Sequence, residues 1–540
     1  MLSRLLRLTG FSRSGSSRQL FYNAAPFNRQ LRIGFTFTAF FGGAYLLSRS
    51  AVIANEDQVE GITVEQVKLH NNKELGFWVV LNGKVYDLSA FKERHPGGAP
   101  IIEQYAGQDA SLIFNEFHAK NFPEKYLPED ECLGPLIGEM ELAPNVLADN
   151  NEERLEALET KPPLSAVVSA TDFEFIARRV MTPLGWNYFA GGTEDEISLR
   201  ENHNAYTRVY FKPRNLRSVK DTDLSTTMLG EKVSLPIYCS AAAMAKLGHP
   251  EGELSIARAC GKKNVMQMIC HQASYPFSDI YQQVRGQPQW AQVIPLSIDF
   301  ALQGIKEAEN AGVKSIFVTC DVPVIGKRDR DMRFRSTNAN AKGVEELNKA
   351  GIVFDETAAI TWEDFQTLQD QTSVPLMIKG LQSVDDIVLA AERGVKAVVI
   401  SNHGGRQLDF SRPPLEILCD VVPILKERGL ADKIELYVDG GVRRGSDILK
   451  ALCLGAKGVG LGRMFLFANA CYGEEGVTHL INILENEMLR DMKMLGVNKV
   501  SELGPEYVDT RSLYMRSTNA DFSYQRNYIP IPPPVFKYDE

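Results

Sequence analysis

From residue 166 to 505 the chain repeats one pattern, a short run of apolar residues followed by a longer stretch with helical spacing. The runs span 236–240, 265–269, 291–296, 315–319, 375–379, 397–401, 435–439 and 457–461. Strands alternating with helices in this way predict an α/β fold, a (β/α)8 TIM barrel whose active site forms at the C-terminal ends of the strands. A doubly wound open sheet also alternates, so periodicity alone leaves both open. The polar residues choose the barrel. Nearly every run ends in a candidate functional group: Ala241, Cys270, Gln292, Asp321, Lys379, His403, Asp439 and Gly462–Arg463.

The flanking segments break this pattern. Residues 60–138 form a small acidic segment with its own apolar positions. Residues 139–165 are acidic, carry Pro144, Pro162 and Pro163, and read as a hinge with room for a helical turn or two. Residues 333–350 are polar and read as a loop, and 506–540, with Pro530 to Pro534, cannot form a packed domain. Residues 1–55 are rich in arginine (Arg4, Arg7, Arg13, Arg18, Arg29, Arg32, Arg49) and lack acidic residues and lysine, the composition of a mitochondrial presequence. An apolar stretch at 33–47 follows, short for the roughly 20 residues that a full span needs. The expectation is a presequence plus a sorting anchor, with cleavage near residues 54–56 delivering the protein to the mitochondrial intermembrane space. A retained anchor is the alternative, and both keep the folded part out of the matrix.

Composition changes this picture little. At 540 residues the chain suits two domains with extensions, and a net charge of −9 argues against nucleic acid as the main partner. The 8 cysteines are scattered without a CxxC pair or zinc spacing, so they read as free buried thiols.

The chemistry concentrates in SNHGGRQLDF, residues 401–410, directly after an apolar run. His403 can take a proton near neutral pH, Gly404 and Gly405 permit close approach, and Arg406 can hold a carboxylate with its planar fork. DGGVRRG (439–445) and GLGR (460–463) follow the last two runs. Their glycine amides with Arg443 and Arg463 predict a phosphate pocket where this fold usually places one. In the 60–138 segment, His95 in HPGG and His118 in IFNEFHAKNF are set among apolar residues, which suits an iron held by two neutral imidazoles.

Two resemblances extend these readings. With FWVVLNGKVYDLSAF (77–91) and HPGG, residues 60–138 resemble a cytochrome b5 domain, which implies an α+β fold and haem b with His95 and His118 as axial ligands. NYFAGGTEDE, VTCDVP, IKG, SNHGGRQLD, VDGGVRRG and GLGR run in the order of the FMN-dependent L-2-hydroxy acid dehydrogenases and oxidases. This second resemblance covers about residues 170–510. It implies that FMN oxidises an L-2-hydroxy acid, L-lactate to pyruvate above all. It makes His403 the base, Asp321 its partner carboxylate, and Arg406 the clamp on the substrate carboxylate, assisted by Tyr188 and Arg328. Lys379 is placed beside the flavin, with Gln292 and Thr319 at its ring and Ala241, Ala243 and Cys270 near it. Asp439, Gly440, Arg443, Gly462 and Arg463 fall to its ribityl chain and phosphate. The haem module implies cytochrome c as electron acceptor, and the C-terminal tail implies a homotetramer.

Three positions depart from that family's pattern. Ile294 stands where a tyrosine usually offers a hydroxyl to substrate, Cys270 replaces a frequent serine, and Gln272 occupies a commonly apolar or aromatic site. They leave the reaction class intact and open the identity of the hydroxy acid. Competing readings are an oxidase that uses oxygen, which would idle the haem module, and an electron carrier with an impaired barrel.

Overall fold

The computed structural model describes residues 61–95, 98–143, 151–284, 286–338 and 360–516, without the side chains of 335–338. The expected presequence and anchor, residues 339–350 of the polar segment and the tail beyond 516 lie outside the described residues. The described residues belong to one compact unit that holds both the small module and the barrel.

The small module is a sheet backed by helices. Its strands are ordered Ile62–Thr63, Cys132–Ile137, Lys84–Asp87, Gly76–Leu81 and Asn71–Asn72. The central hairpin turns on Asn82 and Gly83, whose φ values of 53° and 82° match the left-handed pair that a two-residue hairpin turn requires. Phe77, Val79, Leu81 and Tyr86 pack against Ile102, Tyr105 and Ile113 of helices Ala99–Tyr105 and Ser111–Phe117. His95 follows the short turn Lys92–Arg94, and His118 caps the C-terminus of Ser111–Phe117.

All eight expected strands are present, with ends shifted by at most a few residues. They are β1 (Ile237–Cys239), β2 (Met266–Cys270), β3 (Trp290–Val293), β4 (Ser315–Thr319), β5 (Leu376–Leu381), β6 (Ala397–Ile400), β7 (Glu435–Asp439) and β8 (Gly458–Leu461). Each is parallel to its neighbours, and β8 pairs back onto β1 (Gly460 opposite Tyr238), which excludes the open sheet. Alternation sends Ile269, Ile316, Val318, Val398, Ile400 and Val438 outward to the helices. Tyr238, Met268, Trp290, Phe317, Met377 and Tyr437 point inward. The Trp290 ring centre lies 5.2, 5.1 and 5.0 Å from those of Tyr238, Phe317 and Tyr437, so aromatics fill the lumen.

A hairpin ahead of β1, Thr226–Met228 with Glu231–Val233, adds Met228 and Val233 to this inner cluster. The Leu229 N–H donates to Glu435 at the start of β7 (2.9 Å), so the hairpin closes the N-terminal end of the barrel. Only the opposite mouth is left for chemistry.

The hinge contains a helix, Glu152–Thr160, capped by the Asn151 side chain and with no buried residue. The polar loop expected over 333–350 needs correction. Its first residues belong to helix Asp329–Asn338, which lacks an apolar stripe and is anchored by the buried ion pair of Arg330 with Glu196.

The small module docks on the loops after β1 and β2. The Ala119 N–H donates to the Ser274 carbonyl (2.9 Å), Asn121 and Lys125 reach Asp279, and the Phe277 N–H donates to the Tyr126 hydroxyl (3.3 Å).

Trp290→Ala would empty the centre of the barrel. It is expected to destabilise the protein by about 3–5 kcal/mol, read as a lower denaturant midpoint by circular dichroism.

Candidate active site and haem pocket

The loop after β6 is coiled, because His403, Gly404 and Gly405 all have positive φ (56°, 65° and 75°). A Cβ on Gly405 would lie 2.4 Å from the Leu199 nitrogen, so the loop lies flat on helix Ile197–Thr207 only with glycine there. The Asn402 and Asn202 amides bond reciprocally (2.7 and 2.8 Å), and Asp409 accepts the Ile197 and Ser198 N–H groups at the start of that helix. The Gln407 amide donates to the Asp321 and Val324 carbonyls (3.0 and 2.7 Å), tying this loop to the one after β4.

These ties bring His403 Nδ1 to 3.0 Å from Asp321 Oδ1. With the carboxylate accepting from Nδ1–H, Nε2 carries the lone pair. Burial lowers the proton affinity of His403 by more than Asp321 restores it, so the imidazole is neutral near pH 7. Burial alone would raise the Asp321 pKa, but His403 and Lys379 outweigh it and hold the carboxyl below its usual range.

Lys379, on β5, is buried with its ammonium 3.9 Å from Asp439 and 3.5 Å from the Ser401 hydroxyl. Burial disfavours its charge, yet Asp439 and Asp321 raise its pKa above the ordinary lysine value, so it is a permanent cation. The next residue, Gly380, sits at a register shift with φ +105°, where a Cβ would lie 2.5 Å from Asp321 Cγ.

Across the mouth, the Arg406 guanidinium lies 4.9 Å from the Tyr188 ring centre and donates to the Tyr188 and Gly191 carbonyls (2.5 and 3.1 Å). Burial, then the neighbouring Arg328 charge, push Arg406 down to about 9, still a cation at neutral pH. Arg328 Nε is buried without a hydrogen-bond partner. Two close cations, one with an orphaned donor, form a site that an anion completes.

Gln292 Nε2 donates to the Thr319 hydroxyl (2.5 Å) across β3 and β4. Ala241 and Ala243 are half-buried after β1, and the buried Cys270 thiol, raised to about 12, is neutral. Gln272 and Ile294 are half-buried just beyond β2 and β3.

At the expected phosphate pocket both arginines also have partners within the protein. Arg443 is in a buried ion pair with Glu174 (3.0 Å), and Arg463 donates to the Phe189, Gly404 and Gly191 carbonyls (2.8, 2.9 and 2.9 Å). Both arginines are thus held in place by these partners. Helix Arg463–Leu495 starts there without a side-chain cap, and a Cβ on Gly462 would meet only Ser240 Cβ, at 3.9 Å. Gly440, at φ +95°, continues that backbone surface beside Asp439.

These residues fit FMN. A permanent cation (Lys379), the Gln292–Thr319 pair, an orphaned buried oxygen on Asp439 and an uncapped helix N-terminus with open glycine space suit ring, ribityl hydroxyls and phosphate in turn. His95 and His118 likewise fit a haem. Their ring centres are 6.4 Å apart, and metal–nitrogen bonds of about 2 Å on each side imply about the same spacing. Burial lowers them to about 4 and about 3, so both are neutral ligands at pH 7.

Ser401, Asn402, Asn202, Gln407 and Asp409 support the site without having been singled out in the sequence. Ser401, Asn402, Gln407 and Asp409 lie inside SNHGGRQLDF, a signal that was present, whereas Asn202 is remote in sequence and had none.

Residues 177–510 match the FMN-dependent dehydrogenases, and residues 63–137 match the cytochrome b5-like haem/steroid-binding domain. The chain belongs to the FMN-dependent dehydrogenase family and carries FMN in its barrel and haem in its b5-like module. Over most of its length it is similar to L-lactate dehydrogenase (cytochrome). It is 47% identical to that of Wickerhamomyces anomalus over 86% of this chain and 83% of the relative. It is 41% identical to that of Saccharomyces cerevisiae over 94% and 90%. The flavin-binding domain of baker's yeast flavocytochrome b2 superposes with a TM-score of 0.64 at 42% identity, covering 72% of this chain and 98% of that one.

His118→Ala removes one of two facing imidazoles. The purified variant is expected to lose the low-spin haem spectrum while its flavin absorbance is retained.

Proposed function

We propose that the chain oxidises L-lactate to pyruvate and passes the electrons through its haem to cytochrome c. The observation that carries this reading is the neutral His403, held by buried Asp321 across the mouth from two cations, Arg406 and Arg328, one with an orphaned donor. A 2-hydroxy acid presents a carboxylate to the cations and a proton to the base. The named relatives at 47% and 41% identity support lactate as the acid and a cytochrome as the acceptor. Arg406, with Tyr188 and Arg328, binds the carboxylate and orients the substrate. His403 Nε2 takes the proton, and Asp321 stabilises the imidazolium that results. The fixed charge of Lys379 stabilises negative charge that develops beside it. When bound, FMN accepts an electron pair and the haem relays single electrons. Half-buried Gln272 and Ile294 bear on which side chain the substrate carries. The presequence composition supports an intermembrane-space location, where the acceptor would be met, and the C-terminal tail supports a homotetramer.

Anaerobic titration of the holoprotein with L-lactate and then larger L-2-hydroxy acids tests this. Bleaching of flavin together with the bands of reduced haem is expected with lactate. Reduction by a larger acid alone would replace lactate as the substrate, and reduction of neither centre by any hydroxy acid would overturn the reading. Cytochrome c is expected to turn over faster than oxygen as acceptor.

His403→Gln is expected to slow flavin reduction by about 10²–10⁴-fold, measured by stopped flow. Because His403 has less proton affinity than an ordinary histidine, kcat/KM falls on acidification only below the usual histidine value near 6.5. Asp321→Asn removes the carboxylate that raises that affinity, so the acid limb moves to still lower pH as the rate drops.

A further inference from the structure

One contact between the b5-like module and the barrel falls on the haem ligand's own peptide. Lys246, from the barrel, donates from its ammonium to the carbonyls of Asn115 (2.6 Å) and His118 (2.9 Å). Both belong to the C-terminal end of helix Ser111–Phe117, where carbonyls lack helical partners and the helix dipole is negative. We propose that Lys246 is a positioning residue for electron transfer. Its ammonium clamps the His118 peptide onto the barrel and, as a fixed positive charge, raises the affinity of the docked haem for an electron. This rests on the haem reading of His95 and His118.

The lysine is built into its place. It lies in the short turn Ala245–Leu247, with its N–H on the Ser274 hydroxyl (3.2 Å) and the Ala245 N–H on Glu253 (2.8 Å). Half-burial weakens solvent screening of its charge. Glu116 and Glu253 are the opposing charges near it and Lys120 the like one. Reduction of haem iron adds one negative charge, supplied by the reduced flavin, and an ammonium at the ligand's peptide favours that state. The charge belongs to the barrel, so it acts only while the module is docked. An undocked haem loses it and gives up its electron more readily, in the direction that delivery to an external acceptor needs.

The test is spectroelectrochemical titration of the haem in the full chain carrying both cofactors, for Lys246→Met, Lys246→Gln and Lys246→Arg. Met and Gln are expected to lower the haem midpoint about tenfold in the one-electron equilibrium, 59 mV, with the Soret band and haem content unchanged. Arg is expected to keep the wild-type value. An unchanged potential in Met and Gln overturns the proposal, as does an equal shift in all three, which would assign the effect to packing. Gln serves where Met does not fold. A chain that takes up no haem fails the His95–His118 reading itself, recognised by the missing Soret band.

Discussion

A buried ammonium between two buried carboxylates is the interaction on which the rest of the barrel mouth depends. Lys379, Asp321 and Asp439 come from neighbouring parts of the barrel rim, where burying an isolated ion costs several kcal/mol. Asp439 and Asp321 raise the lysine's proton affinity, and His403 with Lys379 lowers that of Asp321. The strand order makes this possible. Register places Lys379 beside Thr319 of β4 and Val399 of β6, so its chain neighbours lead directly to Asp321 and to the His403 loop. The shift at Gly380 follows from the same crowding, because Asp321 occupies the space of any side chain there.

The second constraint is that the mouth is roofed by the segment ahead of the barrel. Arg406 and Arg463, from two different loops, both donate to the Gly191 carbonyl, and each takes another carbonyl from Tyr188 or Phe189. Helix Pro183–Ala190 is thereby fixed over the loops that follow β6 and β8. Tyr188 gains its position through its own carbonyl, and its ring is left against Arg406. Backbone carbonyls thus fix the direction of both guanidiniums.

The strands were legible in the sequence because each is buried on both faces, which demands an unbroken apolar run. The hairpin closing the barrel's other end was not. Its strands, TTM and EKV, are too short and mixed for a period to show. Helix Asp329–Asn338 escaped for the opposite reason, since an anchor of buried charge leaves no apolar stripe. At the site, His403, Asp321, Arg406 and Lys379 could be named because their chemistry is local to their strand ends. The partners of Arg443 and Arg463 within the protein were not legible, because a basic residue in a glycine-rich loop looks the same whether or not Glu174 or a carbonyl also meets it. Only the fold brings Glu174 there.

The docking of the b5-like module obeys a different rule from the barrel. Its contacts with the β1 and β2 loops are hydrogen bonds and ion pairs: Ala119 to Ser274, Lys125 to Asp279, Phe277 to Tyr126, Lys246 to the last turn before His118. Among the described residues of the module, half-buried Phe117 packs against the barrel core. The connecting helix Glu152–Thr160 buries no residue. Contacts of this kind contribute little each after desolvation, about 1 kcal/mol for a hydrogen bond, and are more specific in direction than strong. They suit an association defined in geometry and easily reversed, which polar interfaces between domains generally are. A module that must accept an electron at the barrel and surrender it elsewhere needs that combination. A broad apolar interface would fix the haem at its source.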